Sequence, residues 1–335
     1  MRKLMTLLAL AGFMATASYS SAQEKKFAVT DYSVNYLRIA PDYESALETQ
    51  ELMGIPVEIL DSKSYWKKVR TPQPYEAWCT NMGLAMMDEN EIKEYMQAPK
   101  YICTTLLSKV YSEPCESSLM VSDLVAGDLL RVSISKSKPV KKGKFLEVIM
   151  PAGEIGYVLA KDLECFKSWA ESRKPDFENI EKTAMQFVGI PYLWGGMSVK
   201  GFDCSGFVRY TMFLNGILLP RNASQQCKCG EQIALDPDAP MEERIKNLKP
   251  GDLVFFGRKA TAEKKEAVTH VGLYLGDGKI IHSSHELRIN SLLSGQKDTY
   301  SGAERLIRAC RVIGEQNKGT GVGFVLNSPT YFPAN

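Results

Sequence analysis

Two stretches in the first half of the sequence echo each other at a fixed offset, and an internal repeat restricts the fold before composition is considered. Pro114 falls 73 residues after Pro41, and Gly127 falls 73 after Gly54. Leu129 to Ser133 then echoes Pro56 to Leu60, Lys144 to Val148 echoes Trp66 to Val69, and Gly156 to Leu159 closes the second copy as Ala77-Trp78-Cys79 closes the first. Within the first copy, Val34 to Arg38, Gly54 to Leu60, Tyr65 to Val69 and Glu76 to Trp78 alternate apolar and polar residues between turn residues, the pattern of short strands in a small barrel. The front half is therefore expected to be two small all-β barrels, residues 27–98 with a linking helix over Asp88 to Gln97, and residues 99–166. Tyr111 takes the slot of Arg38, and the barrel pattern does not account for its ring.

The pattern changes after residue 174. Residues 165 to 176 are charged and carry Pro175, which places a boundary near Lys174, with Pro175 in the first turn of a helix through Phe187. Ile180, Ala184, Phe187 and Val188 would form its apolar face. Tyr192-Leu193-Trp194-Gly195-Gly196 alternates rings with glycines, a surface that lets a ligand backbone approach. Then comes Gly201-Phe202-Asp203-Cys204-Ser205-Gly206, followed by a helical pattern from Phe207 to Leu214. Asp203 is well placed as an N-cap, and a cysteine at a helix N-terminus is favoured as thiolate by the free N–H groups and the dipole. The bland reading of Cys204 is a buried small hydrophobe.

Histidine usage weighs against that reading. The whole chain has three histidines, His270, His282 and His285, within sixteen residues of one another. A cysteine nucleophile needs an imidazole. His270 to Leu275, Gly276-Asp277-Gly278 and Lys279 to Ser283 read as a β-hairpin. With a three-residue loop, His282 faces Gly272 and His270 faces Ser284. The two rings then share a face as diagonal neighbours, roughly 7 Å apart at the backbone. A two-residue loop would put them on opposite faces, so the functional reading predicts the loop. His285 falls on the other face, at the surface. Leu253 to Phe256 is a buried strand, Arg258 to Glu266 a charged loop, and Leu306 to Val312 a last strand, which makes residues 174–314 an α+β domain followed by a tail, 315–335.

Composition excludes more than it proposes. Lys plus Arg number 41 against 39 Asp plus Glu, so nothing calls for nucleic acid. Met1-Arg2-Lys3, the apolar run from Leu4 to Ala17 and the small residues up to Ala22 read as a cleaved signal peptide, residues 1–22, too short for a membrane anchor. The chain is expected to be exported, to the periplasm or beyond the cell, and to act as a monomer. Of the eight cysteines, Cys103 and Cys115 could form a bridge. The Cys227-Lys228-Cys229 spacing is too tight for a zinc knuckle and lacks a second pair. No metal or cofactor is expected.

These residues resemble the NlpC-type papain-like cell-wall cysteine peptidases. The resemblance rests on Tyr192 to Gly196, Phe202 to Val208, Leu219-Pro220-Arg221, Pro250 to Leu253, His270 to Tyr274 and Ile280-Ile281-His282, and covers about Phe177 to Val312. It implies Cys204, His270 and His282 as a catalytic triad. The two front units resemble bacterial SH3 domains, with Ala77 in place of the usual Gly before Trp78. The implied fold is two small SH3-like barrels followed by an α+β papain-like catalytic domain. That combination is similar to the dipeptidyl-peptidase VI subgroup, endopeptidases that cut the γ-D-Glu–diamino acid bond, to meso-diaminopimelate or L-Lys, of peptidoglycan stem peptides with a free N-terminal L-Ala. The resemblance further implies that Glu76, Tyr111 and Asp203 meet the substrate ammonium, and that Tyr192, Trp194, Ser205 and Ser224 line the groove. Two other functions would use the same residues differently: a non-catalytic stem-peptide binding module, or an amidase or acyltransferase.

Overall fold

A computed structural model describes residues 25–236 and 238–333. The expected signal peptide lies outside them. The first unit contains β1 (Phe27–Thr30), β2 (Val34–Arg38), β3 (Leu47–Leu52), β4 (Pro56–Lys63), β5 (Trp66–Arg70), β6 (Glu76–Thr80) and β7 (Leu84–Met87). Helix α1 (Glu89–Gln97) follows, held by a capping box in which Asp88 accepts from Asn90 N and Glu91 N while Glu91 accepts from Asp88 N. The second unit contains β8 (Lys100–Cys103), β9 (Leu107–Tyr111), β10 (Met120–Val125), β11 (Leu129–Val132), β12 (Phe145–Ile149), β13 (Ile155–Leu159) and β14 (Leu163–Cys165).

The strand order of the first sheet is β3-β2-β6-β5-β4-β1-β7, and that of the second is β10-β9-β13-β12-β11-β8-β14, with Lys141–Lys142 added along β12. Each position of the second is the first raised by seven. Register agrees, since Arg38 pairs with Trp78 and Tyr111 with Tyr157. Neither ladder closes, however: β3 and β7, like β10 and β14, stand at opposite edges of their sheets. The closed barrels expected from the sequence are open sheets. An edge left unpaired must be covered, and β3 is covered by the following domain: Gln50 Oε1 accepts from Met197 N at 2.7 Å and Ser198 Oγ at 3.1 Å.

The back domain begins with α2 (Phe166–Ser172) and α3 (Phe177–Met185), which is capped by Asp176 and so starts two residues after Pro175. Ile180, Ala184 and Phe187 are buried as the periodicity requires, but Val188 lies past the helix end and is 49% exposed. Helix α4 (Cys204–Leu214) packs on a six-stranded sheet of β15 (Glu231–Ile233), β16 (Leu253–Arg258), β17 (Ala267–Gly276), β18 (Lys279–Ser284), β19 (Glu286–Ser291) and β20 (Leu306–Arg311), in the order β15-β20-β16-β17-β18-β19.

Helix α4 is buried on nearly every side, including Phe207, Tyr210, Met212 and Phe213. A helix apolar all round must have partners all round. The front units supply some of them. Tyr210 donates its hydroxyl to Ala126 O at 2.6 Å, and Gly127, at φ +95, lies under the Phe213 ring, where a Cβ would fall 2.9 Å from that ring. The two front units meet where Gly54, at φ +85, abuts Leu129, and where the buried Asp128 carboxylate accepts from Met53 N and Val125 N. One apolar cluster, from Val34 and Ile102 to Phe207 and Val271, runs through all three units. The eight cysteines are free thiols; Cys103 is buried against Thr105 and Cys115 is exposed beside Ser117, so they do not form the bridge the sequence allowed.

Candidate active site

Cys204 is the first residue of α4, and Asp203 caps that helix, accepting from Gly206 N at 2.7 Å through Oδ1 and from Gly195 N at 3.0 Å through Oδ2. Its charge is met by Arg221, whose Nη2 is 2.5 Å from Oδ2 and whose Nη1 is 3.1 Å from Oδ1. Arg221 also donates to Thr49 Oγ1 of β3 and to Ser205 Oγ. Both side chains are nearly sealed from water. A buried ion pair of this kind holds only when its remaining donors and lone pairs are used, and here the first unit supplies one of the acceptors. Ser205 is thereby spent on Asp203 and Arg221.

The glycines beside Trp194 serve packing and not ligand approach. Gly195, at φ +76, lies on Leu47 of β3, and a Cβ on Gly206 would fall 2.0 Å from Gly196 O. The loop Leu193 to Gly196 is thus pressed between β3 and the start of α4. Trp194 projects from it, 66% exposed, and Tyr192 is half-buried.

His270 and His282 lie on one face of the β17–β18 hairpin, His270 Nε2 being 2.7 Å from His282 Nδ1. The turn itself has two residues, Asp277 at φ 50 and Gly278 at φ 71, between paired Gly276 and Lys279. The expected three-residue loop is not formed. A bulge between Tyr274 and Gly276 restores the parity instead, pairing Tyr274 with Ile280 and Leu273 with Ile281. His285 is exposed at the β18–β19 turn, φ 64, and uses its carbonyl to hold Tyr192 N at 2.8 Å.

Asn290 completes the line. Its Nδ2 donates to Asp298 O at 2.7 Å, which turns Oδ1 toward His282 Nε2 at 3.0 Å. His282 Nε2 therefore carries the proton, Nδ1 accepts, and His270 Nε2 donates. His270 Nδ1 is left as the basic nitrogen. The next residue along β17, Val271, turns its N–H toward the Cys204 sulfur, as does Ser205, which sets the first residue of α4 against the strand that carries His270. Asn290 escaped the sequence reading; the available signal was a polar residue at a buried strand position.

Burial dominates the ionisation of all three groups. It pushes the Cys204 thiol up to about 11, Asp203 adding to the rise, against smaller opposing effects of the Val271 and Ser205 N–H groups and Arg221. Burial also lowers His270 to about 3, with contributions from His282 and Arg305. His282 falls to about 4, burial again outweighing its bond to Asn290. Burial thus favours the neutral thiol and the neutral imidazoles, and works against the pull of the helix terminus toward a thiolate.

Glu76 and Tyr111 are not gathered at this site. Glu76 is exposed and ion-paired with Lys68 and Arg70, and Tyr111 is buried edge-on against Phe145 in the second unit. The neighbour of Glu76 in sequence does reach the site, because side chains alternate faces along an extended chain. The Tyr75 hydroxyl is 2.7 Å from Glu48 Oε1 and 2.9 Å from Asn222 Nδ2. Asn222 directly follows Arg221 in the chain. Ser224 lies one turn on in α5 (Ala223–Gln226), exposed, and Gln226 braces α4 by donating to Ser205 O at 3.0 Å.

Residues 189–305 match the NlpC/P60 family. The chain is 29% identical over 275 residues to the γ-D-glutamyl-L-lysine dipeptidyl-peptidase of Bacillus cereus (strain ATCC 10987 / NRS 248), covering 78% of this chain and 75% of that protein. It is 29% identical over 258 residues to dipeptidyl-peptidase 6 of Lysinibacillus sphaericus, covering 75% and 86%. The crystal structure of an NlpC/P60 family protein from Bacillus cereus ATCC 10987 superposes with a TM-score of 0.68 at 25% identity, over 85% of this chain and 99% of that one. A fold of β-rich front sheets and an α+β back domain, together with these similarities, makes this chain an NlpC/P60 family protein that resembles the γ-D-glutamyl-L-lysine dipeptidyl-peptidases over most of its length.

Proposed function

We propose that this protein is a dipeptidyl-peptidase VI-like cysteine peptidase that hydrolyses the γ-D-Glu–diamino acid bond of peptidoglycan stem peptides bearing a free N-terminal L-Ala. The observation that carries the reading is the polarised line Asp298 O, Asn290, His282 and His270 on the strand whose Val271 N–H turns to the sulfur of Cys204, the first residue of a helix. As the substrate carbonyl arrives, His270 Nδ1 takes the thiol proton and Sγ attacks the γ-carbonyl carbon of D-Glu. The oxyanion develops toward the free N–H groups at the start of α4. His270 then returns the proton to the departing amine, the C–N bond breaks, and a thioester remains. Water, deprotonated by His270, releases L-Ala-γ-D-Glu and restores the thiol.

Selection of a free amine is assigned to the place where the first unit meets Arg221 and Asn222. An ammonium taken from water requires negative charge. We assign that role to Glu48 with the Tyr75 hydroxyl, beside Asn222, in place of Glu76 and Tyr111. Asp203 is committed to Arg221 and serves the helix. Tyr192 and Trp194 flank the dipeptide, with Ser224 beneath it, while Ser205 is held by Asp203 and Arg221. Burial lifts the Tyr192 phenol to about 12, helped by Cys204, so it remains a donor throughout.

The front units are read as SH3-like, residues 27–98 and 99–166, and the catalytic domain as residues 174–314. A cell-wall peptidase works outside the cytoplasm, which implies export. The test is mass spectrometry of amidase-released stem peptides after digestion: wild type yields L-Ala-γ-D-Glu, Cys204→Ala yields none, and N-acetylated peptides persist. Release of any other fragment would refute the assigned bond.

A further inference from the structure

The catalytic imidazoles are roofed by Tyr300. Its ring centroid lies 4.6 Å from that of His282, 5.7 Å from His270 and 5.2 Å from Phe256. The Arg305 guanidinium lies beside the Tyr300 hydroxyl. Gly302 lies beneath both, where a Cβ would fall 2.7 Å from the hydroxyl and 2.8 Å from Arg305 Nη2, so the turn holds the two side chains in one place. On the other flank Arg288 stands directly opposite His282 in the β18–β19 register, on the same face.

Both arginines are exposed, and among the described residues neither has an ion-pair partner. The nearby acids are otherwise engaged: Glu304 with Arg244, and Asp298 with Lys279. The two charges act on the imidazoles from outside, Arg305 on His270 and Arg288 on His282. A rim with two uncompensated cations disfavours a cation and favours an anion.

Chemistry says what stands there. His270 must hand a proton to the departing nitrogen, so that nitrogen lies within hydrogen-bonding reach of His270. The rest of the departing residue then lies beside the imidazoles, where the neighbouring groups are Tyr300, Arg305 and Arg288. L-Lysine would bring an ammonium to this rim. meso-Diaminopimelate brings a carboxylate beside its distal ammonium.

Resting on the function proposed above, we infer that Arg305, steadied by Tyr300 and flanked by Arg288, is a subsite for a carboxylate of the departing diamino acid, and that it makes this protein prefer meso-diaminopimelate to L-lysine there. The carboxylate that distinguishes the two is the distal one of diaminopimelate, since any terminal diamino acid carries the α-carboxylate.

The full chain is assayed on L-Ala-γ-D-Glu-meso-diaminopimelate, on its distal and α-carboxamides, and on L-Ala-γ-D-Glu-L-Lys, as wild type, Arg305→Gln and Arg288→Gln. The wild type is expected to favour diaminopimelate over lysine by about tenfold or more in kcat/KM, a ratio that shrinks with added salt. Arg305→Gln lowers the diaminopimelate value about tenfold more than it lowers the lysine value; the distal carboxamide produces the same selective loss in wild type. Loss on the α-carboxamide alone overturns the diaminopimelate preference. A wild-type ratio near one, or a ratio untouched by Arg305→Gln, overturns the subsite. Binding of the same peptides to Cys204→Ala reads the ratio without turnover, so absence of cleavage by wild type would count against the peptidase reading and not against this subsite.

Discussion

His270 Nε2 lies 2.7 Å from His282 Nδ1, and that bond exists because a single bulge at the end of β17 reverses the parity a two-residue turn would impose. The bond transmits the orientation set by Asn290. Asn290→Ala releases the tautomer of His282 and with it that of His270. A kcat loss of roughly 10²-fold with little change in KM is expected, together with a changed acid limb of the pH–rate profile. An unchanged kcat would show that Asn290 does not position the rings.

The imidazoles also tie stability to pH. Both ionise lower in the fold, at about 3 and about 4, than the ordinary 6.5, so between these values the unfolded chain binds more protons than the native one. Their contribution is present above pH 6.5 and is lost as pH falls from there toward 4 and below, by on the order of 3 kcal/mol for either ring. Urea midpoints at pH 7.5 and 4.5 check this: a His270→Gln, His282→Asn double variant should lose less on acidification than wild type.

Arg221 joins the N-cap of the catalytic helix to β3 of the first unit. Replacing it with Met strands the buried Asp203 carboxylate, and a cost of about 3–5 kcal/mol is expected. Denaturant titration measures it. Asp203→Asn in the Met variant should recover part of the loss, because it removes the stranded charge.

The Glu48, Tyr75 and Asn222 cluster should read the substrate amine. Glu48→Gln or Tyr75→Phe is expected to raise KM for the free-amine tripeptide by about 10- to 100-fold, the value of a hydrogen bond to a charged group. Glu76→Gln should leave KM unchanged. Steady-state kinetics on the three variants decides between Glu48 and Glu76.

Much of this protein is legible in its residues alone. The offset linking Pro41 to Pro114 and Gly54 to Gly127 reports two units of one strand order, because short strands and their turns are local features. Asp203-Cys204 before a helical pattern, and His270 and His282 on either side of a tight turn, mark the chemistry for the same reason: caps and hairpins are written within a few residues. What tertiary structure alone decided is distant in sequence. Whether the sheets closed depended on what β3 met, and it met the Met197–Ser198 edge. That Tyr75 and Glu48, and not Glu76, come to stand beside Asn222 depended on how β3 and the Tyr75 turn dock against the back domain. The surroundings of Cys204 likewise come from packing, because a helix terminus is visible in sequence whereas the exclusion of water that pushes its thiol up comes only from the assembled core.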